Sequence, residues 1–576
     1  MVTADATRQD GESLRRRWVV PRDGEVLLDP PGPAFFERLE ACRRAPQEWR
    51  VEVGGRPVAE LRRMTREAAV RAGQAFAGRF GLWVGPDVAA GCVLVTGHQP
   101  ELVHPGVWIK NLIVALAARR LKGPDQGVGS IALHVVVDYD TAAEFGAWVP
   151  QAPDGRLARR FVPLSAISYG HPYCQVKPPD HGSVSRFCQE GRAALASLGQ
   201  AGQALCRRWD SFAELMASPP LSEARSLAEW ATALRHLYED RVFNPPLGYL
   251  EVPMQALAQS EAFLRLFAHI ALDAPRFAEA YNRALADYRR TWRVRSRANP
   301  FPDLVAGEVG WELPFWLLTP GVRRRKLYAR AAADALELST ADGPLARIAL
   351  PGSAGWGALS PARADAVVEF LQARGLQIRP RALALTLFLR LFLADLFVHG
   401  VGGARYDAVL DALARTYFGV VLPPYAVASM SLSLPLPQPP EADEVASLRQ
   451  RLSELRYNPQ RFIGELGAAG RDGEASRWAQ EKAYLVRAIQ QPHADRRALT
   501  RRIEAVNARL FAAVRGLYEM TEARLRRALE AQSERQAAVF RGYPFFLHDG
   551  ERVREAAVAM LEDARRNAGA AMRERR

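Results

Sequence analysis

Two aliphatic runs bracketing a glycine-bearing loop and an apolar helical stretch constrain this fold more than any other feature of the chain. Cys92-Val93-Leu94-Val95 leads into Thr96-Gly97-His98-Gln99-Pro100 and then into a helix-forming run over residues 107–121. A glycine-rich connection follows, and then Ile131-Ala132-Leu133-His134-Val135-Val136-Val137-Asp138. Unbroken aliphatic strands are typical of sheets covered on both faces, and strand–helix–strand units join parallel strands. The pattern predicts an α/β fold with a parallel-sheet core. A second unit is expected over 345–380, with a strand at 346–350 and a loop at 351–357. Its helix is opened by Ser360 as N-cap with Pro361 in the first turn and runs through Arg374. Residues 151–340 read as helical and loop insertions into the sheet.

Around that core the chain divides by pattern. Residues 1–90 hold helical pieces broken by Pro and Gly, an N-terminal layer; 91–440 form the core with its insertions. Prolines crowd 423–440, and beyond them long helices begin. Val445, Leu448, Leu452 and Leu455 repeat at three and four residues, as do Leu499, Ile503, Val506, Leu510, Ala513, Leu517 and Met520. Sustained spacing of this kind predicts a coiled coil over 441–540. Glycines around 464–473 and Pro492 allow it to fold back as an antiparallel hairpin, and it is the expected seam of a homodimer. Residues 541–576 form a C-terminal segment and basic tail.

Composition bounds the function. Hydrophobic residues make up 48% of 576 and charged residues 24%, which suits a chain that buries a core and not a disordered one. Five cysteines, Cys42, Cys92, Cys174, Cys188 and Cys206, include no CxxC pair and predict a reducing, cytoplasmic setting. The N-terminus lacks the apolar run of a secretory signal. The most hydrophobic stretch, residues 382–398, is interrupted by Arg390 and Asp395 and reads as a buried helix, so no membrane partner is expected. The formal charge of +14 comes mostly from arginine, since only five lysines occur. The arginines are scattered and accompany no nucleic-acid motif, so nucleic acid is not an expected partner.

The residues with the most chemical potential lie on two loops. The Thr96-to-Pro100 loop follows the first strand and Asp138-Tyr139-Asp140 follows the second, and ligands of open α/β sheets bind beyond the carboxyl ends of strands. Gly97 would let a backbone approach a ligand, and the following helix would offer free N–H groups to an anion. Thr96, His98, Gln99 and His104 add hydrogen-bonding groups. His98 is the expected acid/base group, because an unperturbed imidazole titrates near neutrality. Asp138 and Asp140 would orient a substrate amine or hold a metal-bound phosphate. A second candidate, for a nucleotide or other anion, is His399-Gly400-Val401-Gly402-Gly403 with Tyr406, joined by Arg381. Its glycines would let backbone amides cradle a phosphate.

The segment TGHQPELVHPGVWIKN resembles the TGQQ-containing segment of the bacillithiol cysteine-adding enzymes (the BshC family). VVVDYD resembles that family's GEDHD stretch, and QSERQAAVFRGYPFFLHDG its closing stretch. Thr96, Gly97 and Gln99 match, while His98 replaces a glutamine; Lys110 falls near, though not on, the family's lysine after the motif, and with Asn111 it joins the expected substrate-binding residues. Asp138 and Asp140 match, while Val137 and Tyr139 replace a glutamate and a histidine. The resemblance implies a Rossmann-like core, a dimerising coiled coil and a ligase that condenses cysteine, or another small thiol or amine, with an amino-sugar-type acceptor. No cofactor is assigned, and ATP or ADP is the candidate ligand. The alternative is a catalytically silent nucleotide-binding or scaffold protein that dimerises through its coiled coil. His171, Cys174, His181 and Cys188 offer zinc-ligand chemistry at a spacing that matches no recognised finger.

Overall fold

The computed structural model describes residues 18–44, 46, 49–85, 91–121, 129–141, 143–167, 170–352, 355–357, 359–438, 444–466 and 472–562. The first seventeen residues, most of the glycine-rich connection after residue 121, Gly467 and Gly470, and the basic tail beyond 562 lie outside the described residues.

Strand β1 (Val26–Asp29) and the short hairpin β2–β3 (Glu52–Val53, Arg56–Pro57) precede β4 (Val93–His98) and β5 (Ile131–Val136). The hairpin β6–β7 (Glu144–Gln151, Ala158–Ala166) comes next, then several helices and β8 (Leu250–Pro253). Further along lie β9 (Ala306–Gly307), β10 (Gly310–Thr319), β11 (Val322–Ala331), β12 (Ala335–Thr340), β13 (Gly343–Ala349) and β14 (Gln377–Pro380). The last strands are β15 (Leu396–His399) and β16 (Ala426–Met430).

The core sheet runs β1-β16-β15-β4-β5-β8. β16, β15, β4, β5 and β8 are parallel neighbours, and β1 closes one edge antiparallel to β16. β4 and β5 pair from Val93↔Ile131 to His98↔Val136, so the two aliphatic runs are adjacent parallel strands as their composition predicts. All six residues of β5 are buried, as strands covered on both faces should be. Counted in chain order, the five parallel strands stand 3-2-1-4-5 across the sheet. The order therefore reverses between β4 and β15.

Several expectations change. The strand expected at 346–350 is β13, an edge strand of a separate antiparallel sheet ordered β13-β12-β11-β10-β14. It does not join the parallel sheet. The helix after it does begin as expected: the Ser360 side chain accepts from Arg363 N, Pro361 stands in the first turn, and the helix runs Pro361–Arg374. The return strand β14 then pairs antiparallel with β10. Residues 151–340 are not helix and loop alone, because they supply most of this second sheet and also β8 of the core sheet. The N-terminal layer likewise contributes β1 to the core sheet. The apolar run 382–398 is two elements, helix Ala382–Phe392 and strand β15. Its charges are buried but paired: Arg390 with Asp407 and Asp411, and Asp395 with Arg62 and Arg66. No helix among the described residues is long and apolar enough to cross a membrane.

The chain forms two compact units, and the first holds both sheets. Its core is completed by the segment that follows residue 540. Phe545 N donates to Val103 O at 2.7 Å, and the Phe545 ring packs 5.2 Å from Trp108. Phe546 stacks on Phe212 at 3.7 Å between centroids, the two ring planes nearly parallel.

The second unit comprises Pro150–Arg159 and Pro435–Phe540. Its helices are Val445–Tyr457, Asp472–Ala488, Arg496–Ala513 and Arg515–Ala538. The apolar stripe from Leu499 to Met520 does not run along one helix, since the helix ends at Ala513 and a new one starts at Arg515. Leu499, Ile503, Val506 and Leu510 pack with Leu485. Val514, Leu517 and Tyr518 pack with Leu455 and Phe462. Met520 is 60% exposed.

Candidate functional site

At the reversal, β4 and β15 are tied side by side by Thr96, whose buried hydroxyl donates to Val398 O at 2.9 Å. The backbone of β4 also closes tightly on its other neighbour. A Cβ on Gly97 would lie 2.6 Å from Val135 O, so the glycine serves strand packing and not the approach of a ligand. Behind the strand ends runs helix Pro105–Arg120. His104 caps it, accepting from Gly106 N at Nδ1 (3.0 Å), while Val107 and Trp108 donate to the His104 carbonyl. The amides expected to be free for an anion are thus satisfied within the turn. Burial, aided by Arg541 and Lys110, pushes the His104 imidazole down to about 4, which keeps it a neutral acceptor.

Lys110 points from this helix to the reversal. It is buried, and its Nζ donates to Gly97 O at 3.1 Å. Across the gap, a Cβ on Gly400 would stand 3.9 Å from Lys110 Cδ. Burial first, and the Arg235 charge second, push the Lys110 amine down to about 7. A lysine in this state is a mixture of ammonium and free amine at neutral pH. Asn111, beside it, donates to the Tyr249 hydroxyl at 3.2 Å and has a buried, unpartnered Oδ1.

His98 does not share a pocket with the aspartates. Its ring turns inward, 4.3 Å from the ring of His134, and its Nδ1 lies 2.6 Å from Gln99 O. Burial and the neighbouring His134 hold its proton affinity well below the ordinary range, so the expected acid/base histidine is a neutral core imidazole. The two aspartates also part company. Asp140 is half-buried and accepts from Gln99 Nε2 and Arg324 Nη1, both at 2.8 Å. Asp138 is buried against a separate cavity of about 10 Å³ lined also by Cys174, Thr232 and Gln255. It accepts from Gln255 N at 3.1 Å, and burial, opposed by Arg379, raises its carboxyl to about 6.

Beneath the site lies a charged network that the sequence reading missed. Thr96, His134 and Glu251 stand in register across β4, β5 and β8 and so share one face of the sheet. Glu251 is paired with Arg235 and, at 2.5 Å, with His134 Nδ1; His236 approaches it at 3.5 Å. Arg235 also faces Glu239, which accepts from Trp108 Nε1 (2.6 Å) and Tyr249 OH (2.5 Å). All of these residues are buried. Burial would raise the Glu251 carboxyl, but Arg235 and His134 outweigh it and hold the group ionised. The short contact to Glu251 assigns the His134 proton to Nδ1, leaving Nε2 a bare acceptor. That atom and His98 Nε2 are both buried without a partner. The signal in the sequence was a histidine inside an otherwise aliphatic strand.

The other candidate group is largely tied into structure. His399 Nε2 lies 2.9 Å from Asp407, which Arg390 also holds at 2.6 Å. A Cβ on Gly403 would fall 2.8 Å from His399 Nδ1, so this glycine makes room for the imidazole. Tyr406 packs among Tyr288 and Phe301. Arg381 is spoken for by Glu312 and lies 5.0 Å over the Trp316 ring, which removes it from the role of a free anion ligand. Gly400 begins helix Val401–Leu413 without a side-chain cap, and Gly402 and Gly403 are exposed in its first turn. Among the described residues no group of three or more His, Cys, Asp or Glu could hold a metal, His171, Cys174, His181 and Cys188 included.

The arrangement as a whole is a mixed α/β sheet with a low-affinity amine at its strand-order reversal, between two glycine-bearing turns. No protein-family model matches the chain, and no curated protein matches it.

Proposed function

We propose that the chain is an enzyme with a Rossmann-like core that joins a small amine or thiol to a carbonyl-type acceptor at the reversal between β4 and β15. One observation carries the reading: the buried Lys110 amine sits where the strand order reverses, the position at which doubly wound sheets bind their ligands. The 3-2-1-4-5 order of the parallel strands is that of dinucleotide-binding sheets, which supports ATP or ADP as substrate or effector at the uncapped helix start after Gly400. The likeness of the Thr96-to-Asn111 segment to the bacillithiol cysteine-adding enzymes supports cysteine as the first thiol to test and an amino sugar as the first acceptor. In this scheme Gln99 and Asp140, the more exposed polar pair, orient the incoming amine, and Lys110 replaces His98 as the proton-handling group.

Calorimetry with ATP and ADP, and mass spectrometry of reactions containing cysteine and an amino-sugar acceptor, test the reading. A bound nucleotide or a condensation product that disappears in Lys110→Met supports it. With neither, the scaffold reading takes its place. That second reading rests on the exposed Tyr457, Tyr484 and Met520 of the helical unit, which suit a homodimer seam.

A further inference from the structure

We propose that Lys110 is a covalent nucleophile, forming an imine with an aldehyde or ketone carbon of the acceptor. This rests on the reading above and names the chemical class of its electrophile. Three independent features of the molecule lead to it.

The first is residue choice. The chain carries 77 lysines and arginines, of which only five are lysine, and an arginine cannot release its proton in a protein. At position 110 the chain departs from its habit and buries the one cationic side chain that can become a free amine. The second is the absence of a counter-charge. Among the described residues no carboxylate pairs with Lys110, and its one hydrogen bond is to a peptide carbonyl. A buried cation without a partner is disfavoured, so the surroundings select the neutral form. The lowering of its proton affinity to about 7 agrees with that geometry. The third is the setting. The amine stands at the carboxyl end of β4, where the strand order reverses and open α/β sheets bind their ligands. Gly400, half-buried, lies beside it: a Cβ there would stand 3.9 Å from Lys110 Cδ, and the glycine has no side chain to block an approaching carbonyl.

The step balances without an added oxidant or reductant. The lone pair of Lys110 Nζ attacks the carbonyl carbon, a C–N bond forms, and the C=O π pair moves to oxygen. One nitrogen proton passes to that oxygen, giving a neutral carbinolamine. The nitrogen lone pair then closes the C=N bond as hydroxyl departs with the second proton as water. The substrate amine then attacks the imine carbon, forming a new C–N bond as the C=N π pair moves to Lys110 Nζ. Both protons of the incoming amine pass to Nζ, the bond to Lys110 breaks, and the lysine leaves as a free amine with the carbon held as an imine of the substrate amine.

Borohydride trapping tests this on the full-length chain. Glyoxylate, glyceraldehyde and pyridoxal 5′-phosphate serve as carbonyl probes at pH 7.5, with and without sodium borohydride, followed by peptide mass mapping. The expected result is a reduced adduct on Lys110 in excess over Lys122, Lys177, Lys326 and Lys482, and its loss in Lys110→Met. Wild-type mapping alone remains decisive should that variant not fold. Adducts confined to the other lysines, or no adduct with any probe, overturn the proposal. Nucleotide binding or product formation without trapping would overturn the imine while leaving the broader enzyme reading intact.

Discussion

The rings of His98 and His134 lie 4.3 Å apart, tilted by 54°, and both Nε2 atoms are buried without a hydrogen bond. Two cations could not share that space, so both imidazoles are neutral. Burial, with Glu251 opposing and Arg235 assisting, brings His134 down to about 4 from an ordinary 6.5. Between those values the unfolded chain binds the extra proton, so stability contributed by a neutral His134 is present above pH 6.5 and is lost as the pH falls toward 4. Asp138, raised to about 6, works in the opposite sense between 3.8 and 6. The comparison must therefore be between proteins. His134→Gln should flatten the pH dependence of unfolding free energy by up to about 1.4 kcal/mol per pH unit over this window. Urea titrations at pH 5, 6 and 7 measure it, and an unchanged slope would mean that His134 is not neutral in the folded state.

Glu251 is the only carboxylate paired with Arg235 by a direct hydrogen bond among the described residues, and both side chains are 1% exposed. Glu251→Gln leaves a buried guanidinium without its main counter-charge, a loss of about 3–5 kcal/mol. Double replacement of Arg235 and Glu251 by apolar residues of similar volume should recover part of that loss. Chemical denaturation distinguishes the two cases.

Gly97 separates strand packing from ligand contact. Because a Cβ there would meet the Val135 carbonyl at 2.6 Å, Gly97→Ala should lower stability by about 1–3 kcal/mol through forced separation of β4 and β5. A variant with unchanged melting temperature would indicate that the two strands are further apart in solution.

In the helical unit, position matters more than spacing. Leu510 is fully buried, and Leu510→Asp should cost several kcal/mol by placing an unpaired charge in that cluster. Met520→Asp, at an exposed site, should stay within about 0.5 kcal/mol in the monomer. If Met520 belongs to a dimer seam, light scattering will show a shift toward half the mass for Met520→Asp at unchanged secondary structure. Equal masses for wild type and variant would remove Met520 from any such seam.

What the sequence made legible followed from local pattern. The β4–helix–β5 unit could be read because every side chain of β5 is buried, and burial on both faces leaves an aliphatic run. The helix opened by Ser360 and Pro361 could be read because capping is a local event. The second sheet was misjudged for a related reason: β13 is an edge strand with Ile348 its one buried residue, so a short apolar run there resembled a core strand. Its better signals are turn dipeptides, Pro320-Gly321 between β10 and β11 and Asp342-Gly343 between β12 and β13, each at the bend of a hairpin. At the candidate site, the strand–loop–helix context points to Thr96 and Gly97, though Gly97 serves strand packing, and Lys110 is reached only through the family resemblance. Arg235, Glu239 and Glu251 were not, because sheet register and a distant helix bring them together, and no spacing in the chain records that proximity. His98 looked catalytic because an imidazole on a loop is usually wet; here β4 extends through it and carries it inside.

The return of the chain after residue 540 has a bearing on how the protein is made. Trp108 and its helix leave the ribosome early, yet Phe545, which covers that tryptophan, is translated only after the whole helical unit. At roughly 5–20 residues per second, the nascent first unit spends on the order of 20–90 seconds with that aromatic face uncovered. During that interval it presents exposed apolar surface of the kind that makes folding intermediates prone to aggregate, and slower translation of the helical segment would lengthen the exposure. A frameshift near residue 540 would thus remove the closing piece of the first unit, and the released chain would behave as a folding intermediate and a substrate for proteolysis, not as a shortened native protein.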